Sequence, residues 1–131
     1  MNKKIIEKIQ KKILELLPEG KHLEKALLLA DCCSELSCLV ACWLNELDEF
    51  NYHIILKGDK VCNTDKSHDI LASTQSDKVY LIDPTIWQFF PNENSILIGE
   101  YSTLNEAIAA TTKKYGGHWH ESEELSRNSY E

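Results

Sequence analysis

The 131-residue chain carries a formal net charge of −7 and an isoelectric point near 5.2, with 43% hydrophobic and 27% charged residues. That balance and length suit a single folded domain over residues 1–131 and argue against disorder. The negative charge, with no Lys/Arg cluster beside aromatic residues, excludes nucleic acid as an expected partner.

From Asn2 to Leu17 the apolar residues Ile5, Ile6, Ile9, Ile13, Leu16 and Leu17 recur at three- and four-residue steps, which predicts an amphipathic N-terminal helix within residues 1–20. Charges interrupt this segment throughout, so it is neither a signal-peptide core nor a spanning segment, and no membrane partner is expected. The expected location is the cytoplasm, or a target cell reached by export without a cleavable signal. Pro18-Glu19-Gly20 stops the helix. KHLEKALLLA is read as a short second helix, and Asp31 as the N-cap of a third running from about Cys32 to Leu47.

YHIILKG, rich in β-branched and aromatic residues, reads as a strand, and VCNTDKS as a polar connection. HDILAST and KVYLID form a predicted antiparallel hairpin turning at Gln75-Ser76-Asp77, which sets His68 opposite Pro84 and next to Asp83. Pro84 closes that second strand because it has no ladder N–H to give. SILIGEY is a further short strand, and Thr103-Leu104-Asn105-Glu106 is a capping-box sequence opening the helix LNEAIAATTKKY, ended by Gly116-Gly117. The region from 120 to 131 reads as a polar, frayed tail. Helices, then antiparallel strands, then one helix predict an α+β fold.

Four of five cysteines lie in ADCCSELSCLVACWLNE, an odd total and a clustering that suit reduced thiols. Cys38 and Cys42, four apart among Leu39, Val40, Trp43 and Leu44, read as core. One rigid helix cannot turn Cys33, Cys38 and Cys42 onto a single ion, so no metal site is expected. Cys33 differs because the unpaired amides and positive dipole end of a first helical turn stabilise a thiolate. Cys32, one position earlier, is the alternative nucleophile. A reactive thiol also needs a base held by an orienting group, and His68 beside Asp83 supplies both residue types.

Cys33-Ser34-Glu35-Leu36-Ser37 at a helix start, a strand-borne His68, and Tyr80-Leu81-Ile82-Asp83-Pro84-Thr85 followed by Trp87 resemble the transglutaminase-like branch of the papain-like cysteine superfamily. The resemblance covers residues 30–90. It implies a nucleophile-bearing helix packed on a small antiparallel sheet, with Cys33, His68 and Asp83 as nucleophile, base and orienter, and no cofactor. Asp31-Cys32 and Asp69-Ile70 stand where transglutaminases usually carry glycine and an aromatic residue. The compact size and the acid beside His68 are more similar to small papain-like toxin and effector domains of bacteria, which include glutamine deamidases and peptidases. A protein or peptide substrate is thereby implied, with glutamine deamidation favoured over proteolysis and over transfer to an amine. A noncatalytic binding module that docks through its first helix is the alternative from another class.

Glu35 reads as compensation of the helix dipole or as a substrate contact, and Trp87 as core or as a wall of the cleft. His53 reads as sheet packing. His118 and His120, around Trp119, read as surface or tail residues.

Overall fold

The computed structural model describes residues 3–15, 33–47 and 50–125. Helix α1 (Lys3–Glu15) buries Ile6, Ile9 and Ile13, the residues its periodicity marks as one face. Helix α2 (Cys33–Leu47) presents Leu36, Ser37, Val40, Ala41 and Leu44 as its buried stripe. The small Ser37 and Ala41 let its backbone come close to the sheet. The expected helix in KHLEKALLLA, its cap Asp31, and Cys32 lie outside the described residues.

Strands β1 (Tyr52–Asp59), β2 (His68–Gln75), β3 (Lys78–Ile82) and β4 (Leu97–Tyr101) run as an antiparallel meander. Helix α3 (Leu104–Tyr115) then crosses one face and delivers strand β5 (His118–Leu125) to the far edge, giving the order β4-β3-β2-β1-β5. The fold is therefore α+β on a five-stranded antiparallel sheet. The β2–β3 turn holds only Ser76 and Asp77, both at positive φ (50° and 63°), closed by the Gln75–Lys78 pair. Two left-handed residues are what a two-residue hairpin needs to match strand twist. This moves the register by one from the three-residue turn expected, so Leu71 faces Ile82.

The tail expectation is corrected: His118–Leu125 is an edge strand paired with β1, with His118 and His120 exposed along it. Its run of Glu hides the strand from a hydrophobic pattern search. An edge strand tolerates such charges because only its backbone must be satisfied, and charge there discourages further pairing. VCNTDKS is less polar than it reads, since Val61 is buried in a 3-10 turn.

The two sheet faces carry separate cores. Ile55, Leu71, Tyr80 and Ile82 pack with α1, α2, Ile86 and Trp87. Ile54, Leu56, Ile70, Ala72, Val79 and Leu81 pack with α3 and Trp119. Thr103 caps α3, its Oγ1 accepting from Glu106 N at 3.1 Å, while Glu106 reaches back to Ser102 N rather than to the cap residue. At the other end Gly117 (φ 80°) passes so near Asp59 that a Cβ there would lie 2.2 Å from its carbonyl oxygen. Glycine is thus required where α3 turns into β5. Among the described residues, no helix is long and apolar enough to cross a membrane.

Candidate active site

The β2–β3 ladder stops at Leu71–Ile82, although β2 runs back to His68 along β1, where His68 faces Gly58. Past that point the chain parts from β2 but stays beside the lead-in to β4, with Asp83 N donating to Ile96 O at 2.8 Å. The parted strand ends are bridged by side chains. His68 Nε2 donates to Asp83 Oδ2 at 2.8 Å, with the histidine 1% and the aspartate 0% exposed. The carboxylate requires a proton on Nε2, so in the neutral ring Nδ1 carries the lone pair and is the nitrogen that can accept a proton.

Asp83 is held from three further directions. Thr85 N donates to Oδ1 at 3.0 Å, the Thr85 hydroxyl donates to the same oxygen at 3.4 Å, and the Tyr115 hydroxyl makes a short hydrogen bond to Oδ2. A buried carboxylate is tolerated only when its lone pairs are filled in this way. Burial first, and then the charge of Asp83, push the Tyr115 hydroxyl far above its ordinary pKa, so it remains a donor. Rings enclose the imidazole: Phe89 at 4.8 Å, Tyr115 at 5.7 Å and Trp119 at 6.4 Å between centroids. The Trp119 indole can sit there because β1 offers Gly58, where a Cβ would come within 2.4 Å of it.

Cys33 is the first residue of α2, as its expected role requires, while its side chain lies outside the described residues. The direction of the helix is fixed by contacts further along. Asn45 meets His53, whereas Cys38 lies within electrostatic range of Asp69 and Glu123, toward the start of β2. At 1.5 Å per residue, position 33 falls about 7.5 Å further in that direction, at the end of the sheet where His68 and Asp83 lie. However, α2 packs on the Leu71 face, whereas His68 shares the opposite face with Ile70 and Ala72.

Glu35 is exposed in the first turn of α2. Trp87 is 2% exposed, and its Nε1 donates to Glu93 O at 2.9 Å, so the indole is core and ties down the 87–93 loop. Phe89, Phe90, Pro91, Asn92 and Glu93 line an open cavity of about 470 Å³ that shares Phe89 with the ring shell of His68. Lys114 joins that loop to α3 through Glu93 at 2.7 Å and lies 4.4 Å from the centre of the Phe90 ring. Cys38, Cys42 and Cys62 are free thiols. Among the described residues, no cluster of His, Cys, Asp and Glu could hold a metal ion.

His53 is a buried sheet residue with a complete polar environment. Its Nε2 lies 3.0 Å from Asn45 Oδ1, an acceptor, which assigns the proton to Nε2 and makes Nδ1 the acceptor of the Ser73 hydroxyl at 2.7 Å. Burial lowers its pKa to about 4. The unfolded chain, with a histidine pKa near 6.5, therefore takes up the proton first as pH falls. This contribution to stability is complete above about pH 6.5 and is lost on descending toward pH 4, by about 2–3 kcal/mol. Urea unfolding between pH 7 and pH 4.5 is expected to show that loss in the native protein beyond any seen in His53→Gln; parallel profiles would refute it.

Sequence reasoning did not find Tyr115 or Thr85 as parts of this site, while Phe89, with Trp87 and Phe90, read as core or a wall of the cleft. Tyr115 is 32 residues from Asp83, and its only local mark is its place before the glycine pair that ends α3. Thr85 was readable, since a threonine two residues after an aspartate is a common local partner. Comparisons with family models, with curated proteins and with solved structures found no match to this chain.

Proposed function

We propose that the chain is a thiol-dependent acyl-transfer enzyme of papain-like, transglutaminase-like plan that hydrolyses glutamine carboxamides of a protein substrate. Cys33 is the nucleophile, His68 the base and Asp83 the orienter. The observation that carries this reading is the buried hydrogen bond from His68 Nε2 to Asp83 Oδ2, 2.8 Å long, which fixes one imidazole tautomer at the sheet end toward which α2 points its N-terminus. A histidine held in that way is the second and third part of a nucleophile–base–orienter set.

In this mechanism Nδ1 of His68 takes the thiol proton and the thiolate attacks the side-chain carbonyl. The tetrahedral oxyanion is stabilised by the Cys33 backbone amide at the positive helix end and by a second donor. The imidazolium gives its proton to the departing nitrogen, the C–N bond breaks, and ammonia leaves a thioester. Water, deprotonated by the same imidazole, attacks the thioester, releasing a glutamate side chain and the thiol. Nothing in these steps requires a cofactor. The noncatalytic alternative is disfavoured because the apolar stripe of α1 on which it would dock, Ile6, Ile9 and Ile13, is already buried in the core.

The test is selective alkylation followed by intact-mass measurement of a glutamine-rich substrate protein. Iodoacetamide is expected to label Cys33 ahead of Cys38, Cys42 and Cys62. The substrate is expected to gain the mass of an amide-to-acid exchange with the native protein and not with Cys33→Ala. Fragments in place of the mass gain would make the enzyme a peptidase using the same residues. Slow, unselective labelling would overturn the proposal, and preferential labelling of Cys32 would move the nucleophile by one position.

A further inference from the structure

Asp83 Oδ2 has two donors, not one. His68 Nε2 reaches it along the sheet and the Tyr115 hydroxyl reaches it from the last residue of α3, and all three residues are at most 2% exposed. Two protons converging on one oxygen compete for the same electron density. A charge-assisted bond from a phenol withdraws charge from the carboxylate, and what it withdraws is not offered to the imidazole.

We propose that Tyr115 is a positioning residue for His68, fixing the Asp83 carboxylate in one orientation and moderating its pull on the imidazole so that His68 stays neutral enough to act as a base. The role rests on the reading of His68 as the base, but its physical content is a claim about His68 alone. Without Tyr115, Asp83 concentrates its charge on Nε2–H, imidazolium is over-stabilised and His68 holds its proton to higher pH. With it, less of the carboxylate's charge is offered to Nε2–H, so the imidazolium is less strongly stabilised and the neutral ring that a general base needs is favoured.

The placement supports this division of labour. Tyr115 is pinned by more than its hydroxyl, since its ring packs against Phe90 at 5.1 Å and Trp119 at 5.3 Å, and the Trp119 Nε1 donates to Gly116 O at 2.8 Å directly after it. The phenol is therefore brought to Asp83 by a fixed helix end and cannot turn away. Among the described residues, Cys62, Glu93 and Lys114 are titratable groups near Tyr115 and Asp83, and the proposed nucleophile Cys33 is a further one for His68. Cys62 and Glu93 both favour the protonated phenol, while burial and Asp83 raise the Cys62 thiol against the opposing pull of Lys114. None of the three has a hydrogen bond to Asp83 or His68, so the direct contest for Oδ2 is between Tyr115 and His68.

The experiment follows the His68 ring carbons by NMR through a pH titration, with no substrate involved. In Tyr115→Phe the His68 pKa is expected to rise by about half a unit to one unit. Placing 3,5-difluorotyrosine at position 115 keeps the hydroxyl and the packing but makes it a stronger donor, and the His68 pKa is expected to fall below the native value. A role in packing alone predicts no such reversal of sign. An unchanged His68 pKa in the difluorotyrosine protein, or shifts of the same sign in both, would overturn the proposal. Cys33 alkylation measured on the same samples separates the two claims. Opposite His68 shifts with an inert Cys33 would refute the catalytic reading and leave the coupling standing; a reactive Cys33 with a static His68 would do the reverse.

Discussion

Asp83→Ala is expected to be the most destabilising single change at the candidate site, by about 3–5 kcal/mol, because it strands a cluster of buried donors at once. His68 Nε2, the Tyr115 hydroxyl and the Thr85 backbone N–H all end on this carboxylate, which is fully buried. Urea denaturation reads the effect as a fall in the midpoint, and a loss no larger than that of the exposed Glu124→Ala would show that the network is dispensable. Asp83→Asn separates stability from chemistry. An amide oxygen still accepts from Tyr115 or Thr85, so the fold is expected to persist. Turning the amide nitrogen toward His68, however, forces Nε2 to accept and places the imidazole proton on Nδ1, the wrong nitrogen for a base.

His68→Ala is expected to have the second large effect, on reactivity instead of stability. A free thiol is mostly protonated below neutrality, whereas one paired with an imidazole and a helix N-terminus is largely thiolate. Allowing for the weaker nucleophilicity of a low-pKa thiolate, alkylation of Cys33 at pH 6 is expected to slow by about tenfold. The difference is expected to close above pH 9, where any thiol ionises. Turnover of a carboxamide loses more, by about 10²–10⁴-fold, because the departing nitrogen also loses its acid. Equal alkylation rates in the two proteins at pH 6 would remove His68 from the mechanism.

The pairing of His68 with Asp83 was legible because the short hairpin between them carries its register in the sequence: two apolar runs and a polar turn bring residue types of complementary chemistry to adjacent strand ends. The error of one residue in the register came from the turn. Ser76 and Asp77 adopt left-handed conformations that glycine or asparagine would have announced. Helix α3 and its cap were equally legible, since Thr103 and Glu106 sit at the local spacing that capping needs. Strand β5 was hidden because its stabilising partner is the distant backbone of β1, not its own side chains, which are almost all polar. Tyr115 was hidden for a related reason. Nothing near it in the chain indicates that β5 holds the helix end in place and so sets its hydroxyl on Asp83.

The route of the chain into β5 also bears on how the molecule is assembled in time. The meander β1-β2-β3-β4 forms from neighbours in sequence, whereas β5 pairs with a strand more than fifty residues earlier, as in His53 with Leu125 and Asp59 with His118. Contacts of such long separation carry the larger loop-closure cost and are made after local ones. Because Tyr115 and Trp119 arrive with that closure, Asp83 acquires its full set of donors only as the last strand zips onto the sheet. A nascent or partly unfolded chain thus holds its histidine and carboxylate without the Tyr115 hydroxyl on Asp83, and completion of this buried network and complete folding become the same event.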